Sequence, residues 1–386
     1  MQKSDQISKP MPFSGGMYIH IPFCRKACHY CNFHFTTSLY YKDNLVNALC
    51  KEIELKAKLF SSGHLTSIYF GGGTPSLLSS QEINLIYQTI GLYFSIAEDA
   101  EITLEANPDD LTLEYLLQLK TTRINRLSIG IQSFYDEDLQ YLGRAHDSSQ
   151  AQHALDNANE VGFININADL IFGFPSLTEK KLLYNLHQLT KRNIPHISAY
   201  NLTIEEKTFL YKLVKNNKTN PPEENQNAHQ FEIIHNELIK NEYEHYEISN
   251  YCRVGMEAKH NSSYWLGEHY IGIGPAAHSY YGASRTSNIT NNQQYMRAIT
   301  SLNIHEETEV ITPEIAYNEL ILTRLRTKWG VSLNDIYQID PRLVSHFNTS
   351  IFPYLESGEL IKIDDKISLT LKGMLIADHL ATELFT

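Results

Sequence analysis

No stretch of this sequence holds 18 or more consecutive apolar residues, so no segment of it is expected to span a bilayer. Residues 1–16 carry Lys, Asp, Ser and Pro without the apolar stretch of a secretory signal, which leads us to expect a soluble, cytoplasmic protein. Basic residues are not in excess. Lys and Arg number 32 against 44 Asp and Glu, a net charge of −12, which argues against broad nucleic-acid binding or attraction to an anionic membrane surface. Internal repeats and low-complexity tracts are missing as well. Cysteine is scarce at five residues, an odd number, and without a secretory signal it does not read as a disulfide framework. What remains is a chain of 386 residues, long enough for a large core and two or three domains. It is rich in Tyr, with 24, and His, with 17, a composition that suits either a polar-aromatic interior or an aromatic ligand.

Three of the five cysteines fall within eight residues, Cys24, Cys28 and Cys31, spaced CxxxCxxC. A compact loop turns such a trio toward one point, where three thiolates hold three irons of a 4Fe-4S cluster and leave the fourth iron open to a small molecule. The alternative is a structural zinc site, which needs a fourth ligand from His20, His29 or His34. Cys50 and Cys252 belong to no motif and read as ordinary buried or half-buried thiols.

Short apolar runs alternate with segments of helical periodicity about six times. Strands are expected at Met17 to Ile21, Ser67 to Phe70, Glu101 to Glu105, Arg126 to Ile131, Asn165 to Ile171 and His196 to Leu202, with helices such as Leu39 to Phe60 between them. That alternation implies parallel strands with right-handed crossovers, either an open doubly wound sheet or a barrel-like arc. Polar and glycine residues recur at the C-terminal ends of the strands: the cysteine loop, Gly71 to Thr74, Glu105, Gln132 and Asp169. Barrel enzymes place their chemistry there. Lys212 to Asn227 reads as an exposed connection, followed by a helix from Glu224 to Asn241 and a strand from Tyr243 to Asn250. Past Thr300, helices at Pro313 to Lys328 and Pro341 to Glu356, a hairpin at Glu359 to Thr370 and a last helix suggest a small winged-helix-like domain.

The order CxxxCxxC, Gly71-Gly72-Gly73-Thr74-Pro75, Glu105, Gln132, Arg144 and Asp169 resembles the coproporphyrinogen-oxidase-like branch of the radical S-adenosylmethionine superfamily, over residues 17 to about 290. The resemblance implies an α/β fold, a partial (β/α)6 barrel with a small α+β winged-helix-like C-terminal domain. Its implied divisions are a tail at 1–16, the barrel at 17–210, an extension at 211–300 and the C-terminal domain at 301–386. It assigns Cys24, Cys28 and Cys31 to the cluster, and Tyr18 and Tyr30 to the walls around S-adenosylmethionine. Gly72, Gly73 and Thr74 would meet its methionine end or a second nucleotide-like position, with Glu105, Gln132, Arg144 and Asp169 around the same cavity. Arg144, following Gly143, reads equally well as a solvated charge at a helix end.

Two features sort the branch. Phe33 stands where the oxygen-independent decarboxylases of coproporphyrinogen III carry a fourth cysteine, and only sixteen mostly polar residues precede the first expected strand. His260-Asn261-Ser262-Ser263-Tyr264-Trp265 matches HNxxYW, the signature of the heme chaperones of this branch. A histidine imidazole is a normal axial ligand to heme iron, which makes His260 a heme candidate; alternatively it hydrogen-bonds locally while Tyr264 and Trp265 fill a core. The resemblance thus implies a carrier that binds heme beside the cluster and S-adenosylmethionine. Its expected recipients are hemoproteins, membrane-associated respiratory enzymes among them, and it would not itself be a coproporphyrinogen oxidase. The competing expectation is that decarboxylase, an enzyme of heme synthesis. A radical enzyme on another substrate, or a DNA-binding protein acting through its tail, is a third reading, and the acidic balance speaks against the latter.

Overall fold

The computed structural model describes residues 11–386. Six parallel strands form the curved centre: β1 (Met11–Ile21), β2 (Phe60–Gly72), β3 (Ser95–Ala106), β4 (Arg126–Gln132), β5 (Asn165–Phe172) and β6 (His196–Asn201), adjacent in sequence order. β1 extends back to Met11, so residues 11–16 are strand and not tail; the rest of the expected tail lies outside the described residues. The helix expected from Leu39 to Phe60 is three residues shorter at each end, at Lys42–Ala57, and Phe60 opens β2 instead.

The strands alternate as a two-faced sheet should, with an unusual division of character. Toward the surrounding helices point Met17, Ile19, Ile68, Phe70, Leu104, Ile129, Ile166 and Ile197, which form the main core. The opposite face, toward the concave interior, carries Tyr18, Tyr69, Thr103, Glu105, Arg126, Ser128, Asn167, Asp169, His196 and Ser198, most of them buried. A (β/α)8 barrel interior is usually filled by branched aliphatic residues. Here it is polar and aromatic, and it absorbs a good part of the Tyr and His abundance.

The chain after β6 continues the sheet at both margins. β7 (Glu244–Glu247) and β8 (Asn250–Cys252), two antiparallel strands where one was expected, pair with β6 through β8. On the other side β9 (Tyr270–Ile273) pairs parallel to β1, and β10 (His278–Tyr281), β11 (Ser284–Asn288) and β12 (Glu306–Val310) follow antiparallel. The twelve strands run β12-β11-β10-β9-β1-β2-β3-β4-β5-β6-β8-β7, with β12 as a free edge and the β7 margin bonded by the backbone of residues 326–328.

The C-terminal unit has its own core of Tyr317, Ile321, Phe347, Ile351, Leu360 and Ile367. It carries the small antiparallel sheet β13 (Val331–Ser332), β14 (Leu360–Ile363) and β15 (Lys366–Leu369), and the expected hairpin is β14–β15. Its attachment is specific: Arg326 donates to Glu247 at 3.1 Å and lies over the Trp265 ring at 4.8 Å. No helix among the described residues is long and apolar enough to cross a membrane.

Candidate functional site

Past the C-terminal ends of β1 to β6 lies a cavity of about 470 Å³. The cysteine loop forms one wall. Its base is tied by Thr36 N–H to Pro22 O at 2.7 Å and Cys24 N–H to Thr36 O at 3.0 Å, and its middle by His29 N–H to Leu142 O at 3.0 Å. Cys24, Cys28 and Cys31 are free thiols, half-buried, and all three line the cavity. Burial pushes the Cys24 thiol up to about 11, with a Thr74 hydroxyl at 3.5 Å from its sulfur acting the other way. A thiol so placed ionises when a cation binds it.

The glycine turn faces the trio. Gly72 has φ +113°, and a Cβ there would fall 2.5 Å from the His20 ring; at Gly73 it would fall 2.7 Å from Phe23 O. The turn therefore needs residues without side chains, and it leaves backbone at the cavity wall. Gly72 N–H donates to Glu105 Oε2 at 3.0 Å, and Tyr69 O–H donates to Glu105 Oε1 at 2.8 Å. Burial raises the Glu105 carboxyl to about 7, with these donors opposing and nearby Asp169 reinforcing. Asp169 is also raised by burial, while Asn167 donates to it at 2.7 Å.

Arg144 is no solvated helix end. Gly143, at φ +73°, closes the helix Asp136–Leu142 in the left-handed region and turns the chain inward. The guanidinium donates to Asn107 Oδ1 at 2.7 Å and Gly130 O at 3.0 Å, and reaches Cys28 Sγ and Tyr30 Oη at 3.4 Å each. Gln132 holds φ +64°, rare for a residue with a side chain, and its amide oxygen is buried without a partner. An unpaired buried acceptor on a cavity wall is a place for a ligand N–H.

Two assignments need correction. Tyr18 does not line the cavity: it lies a layer deeper, its hydroxyl 3.1 Å from His20 Nδ1 and its ring stacked against Tyr69. His260 sits at the opposite, N-terminal end of the strands, where the helix Lys259–Trp265 closes the floor. Its ring is 1% exposed, with Nδ1 2.8 Å from Ser67 Oγ and Nε2 2.9 Å from Tyr264 Oη; its backbone N–H donates to Glu101 Oε1. Burial, then the Arg126 charge, lowers its pKa to about 3. With both nitrogens engaged and no access, His260 is a floor residue and not an axial ligand, so the local hydrogen-bonding alternative is the one realised. Cys252 is fully buried and Cys50 half-buried, and neither lines the cavity.

The residues 18–189 match the model of the radical SAM superfamily, and 311–376 match that of the HemN C-terminal domain. The chain is 34% identical to the heme chaperone HemW of Bacillus subtilis strain 168 over 366 residues, covering 94% of this chain and 97% of that protein. The chain belongs to the radical SAM superfamily and, within it, to the HemW family. HemW of Mycobacterium tuberculosis strain CDC 1551 is 31% identical over 381 residues, 97% of this chain and 96% of that protein. Among solved structures, Escherichia coli coproporphyrinogen III oxidase, HemN, matches with a TM-score of 0.83 at 23% identity, covering 98% of this chain and 92% of that one. That likeness confirms the α/β partial barrel with its C-terminal domain, and says nothing of activity.

Membership in the radical SAM superfamily brings a 4Fe-4S cluster and S-adenosylmethionine as cofactors. The site fits them: three free thiols around one cavity, a turn stripped of Cβ atoms, and an unpaired Gln132 oxygen. When bound, the cluster supplies an open iron and a single electron. Around it Arg144 places positive charge against Cys28, while Asn107 fixes Arg144. The contributions of Asn107 and Tyr69 to this HemW-family site were not anticipated. The signal for Tyr69 was period-two spacing with Gly71, and for Asn107 its position two residues after Glu105 at a strand end.

Proposed function

We propose that this protein is a heme carrier that takes up heme beside its cluster and hands it to recipient hemoproteins. The reading is carried by near full-length similarity to proteins named heme chaperone HemW. It is supported by Phe33, the residue in place of a fourth motif cysteine, which is 69% exposed at the cavity mouth. An exposed aromatic there offers a face to a flat macrocycle. We further assign the cluster to Cys24, Cys28 and Cys31. S-adenosylmethionine goes to the pocket of Tyr30, Gly72, Gly73, Thr74, Glu105, Gln132, Arg144 and Asp169, within a barrel unit of about residues 17–210. The extension 211–300 seals its floor, and 301–386 is a separate small domain. Recipients include membrane-associated respiratory enzymes, and the protein works in the cytoplasm.

The test is to load the anaerobic, cluster-reconstituted protein with hemin, then with coproporphyrinogen III plus reductant and S-adenosylmethionine. Stoichiometric heme binding, transfer to an apo-hemoprotein and no protoporphyrinogen IX are expected. Sustained multiple-turnover decarboxylation would overturn the carrier and make the protein an enzyme of heme synthesis.

A further inference from the structure

With His260 closed off, the hexad has no accessible imidazole, and the fold offers another elsewhere. A second, open groove of about 970 Å³ adjoins the first across the cysteine loop and shares Cys28, Cys31 and Phe33 with it. His29 lines this groove, and its placement is unusually constrained for a loop residue. Its N–H donates to Leu142 O at 3.0 Å, and its carbonyl accepts from Leu210 N–H at 2.7 Å. Its ring packs against Phe209 with centroids 4.7 Å apart. Its Nδ1–H donates to Tyr141 O at 2.8 Å, which fixes the tautomer and leaves the Nε2 lone pair with no hydrogen-bond partner among the described residues. The ring lies on Gly143, where a Cβ would fall 2.5 Å from Cδ2 and 2.8 Å from Nε2, so that glycine makes room for it. An imidazole oriented through one nitrogen by a backbone carbonyl, with the other nitrogen unpaired, is arranged as metal-binding histidines are.

The surroundings suit a flat, apolar, dianionic ligand. Phe33 and Phe209, 69% and 51% exposed, present aromatic faces on the groove, and Phe35 adds a third. Lys207 and Lys212 are exposed on its wall with no carboxylate partner in an ion pair among the described residues, available to two propionates. Glu205 and Glu206 share that wall, so the patch is not broadly basic and would not hold an arbitrary polyanion.

We propose that this groove is the heme site and that His29 Nε2 is the axial ligand to its iron. The inference rests on the heme-carrier reading and adds where the heme sits: against the outer side of the cluster loop, and not at the HNxxYW hexad.

The experiment titrates hemin and, separately, iron-free protoporphyrin IX into the reconstituted full chain, its His29→Ala variant and a Phe33→Ala variant. His29→Ala should shift the Soret band and weaken hemin binding about tenfold or more, with protoporphyrin IX binding unchanged. Added imidazole should restore the wild-type spectrum in His29→Ala, a rescue that a merely structural histidine would not give. Phe33→Ala, on a side chain too exposed to matter for folding, should weaken both porphyrins. A wild-type-like hemin spectrum and affinity in His29→Ala overturns the ligand while leaving the carrier standing. A shifted spectrum that imidazole does not restore overturns it too. Failure of the wild-type protein to bind hemin at all removes the carrier reading itself.

Discussion

His260 stacks on Tyr69 with ring centroids 5.1 Å apart, and through that contact the floor of the barrel touches the group that holds the cofactor turn. Tyr69 donates to Glu105, Glu105 accepts from Gly72 N–H, and Gly72 lines the cavity. Removing the Tyr69 hydroxyl leaves a buried carboxylate one donor short, a loss worth about 1.5–3 kcal/mol for a bond to a charged group. Tyr69→Phe is therefore expected to weaken S-adenosylmethionine binding about tenfold or more while iron content stays at the wild-type level, by equilibrium dialysis and iron analysis. Unchanged affinity would separate Glu105 from the cofactor.

The hexad histidine gives a sharper result. Because both ring nitrogens of His260 are engaged and the ring is buried, His260→Ala should leave the Soret band of bound heme where it is, and should lower the folding midpoint in denaturant instead. A Soret shift without loss of stability would return His260 to the iron.

The cluster should depend on three thiols and no others. Cys24→Ala, Cys28→Ala and Cys31→Ala are each expected to lose the iron-sulfur chromophore on anaerobic reconstitution, while Cys50→Ala retains it, since Cys50 does not line the cavity. Full cluster content in any of the three would remove that residue as a ligand.

Gly72→Val faces two penalties: a φ of +113° that a branched residue resists, and a Cβ 2.5 Å from the His20 ring. Backbone strain of this kind costs about 1–3 kcal/mol. The variant is expected to bind S-adenosylmethionine poorly and to keep its iron, as measured by dialysis and iron analysis.

Acid should destabilise the apoprotein. Burial lowers His20 and His245 to about 4, and His146 and His260 to about 3, from an ordinary 6.5. Between those values the unfolded chain binds protons that the native chain does not, so stability falls as pH drops below 6.5, at up to about 1.4 kcal/mol per pH unit for each histidine. Glu105, raised to about 7, works in the opposite direction between 4.5 and 7, because there the native state holds the extra proton. Asp109, Asp138 and Asp169 are raised in the same sense as Glu105, while His196, His235 and His278 join the lowered histidines, so among the described residues seven imidazoles stand against four carboxyls and the acid loss stays in command. Denaturant titrations at about pH 7 and about pH 5 should show the lower midpoint at the lower pH, and Glu105→Gln should deepen the drop.

How much of this was legible in the sequence depended on which variable carried it. The strand ends were readable because a two-residue period and a terminating glycine or polar residue are local signals. Glu105, Gln132 and Asp169 all arrived at the cavity that their positions implied. Depth along the barrel axis is not local, which is why Tyr18 was expected a layer higher than it lies. Arg144 turned on the left-handed Gly143, a single dihedral that decides between solvent and sulfur. His260 failed for a different reason: a motif marks that a residue matters, while the Ser67 and Tyr264 contacts that engage its nitrogens come from elements folded together.

The free edge β12 reads Glu306-Glu307-Thr308-Glu309-Val310, exposed along nearly its whole length, with carboxylates at three of five positions. A twelve-strand sheet that never closes would otherwise invite another copy to add a thirteenth strand. Glu306 is held by Lys56 and Glu309 faces Arg285, which leaves Glu307 without an ion-pair partner among the described residues; two such edges brought together antiparallel would set Glu307 against Glu309, a like-charge pairing that discourages strand addition.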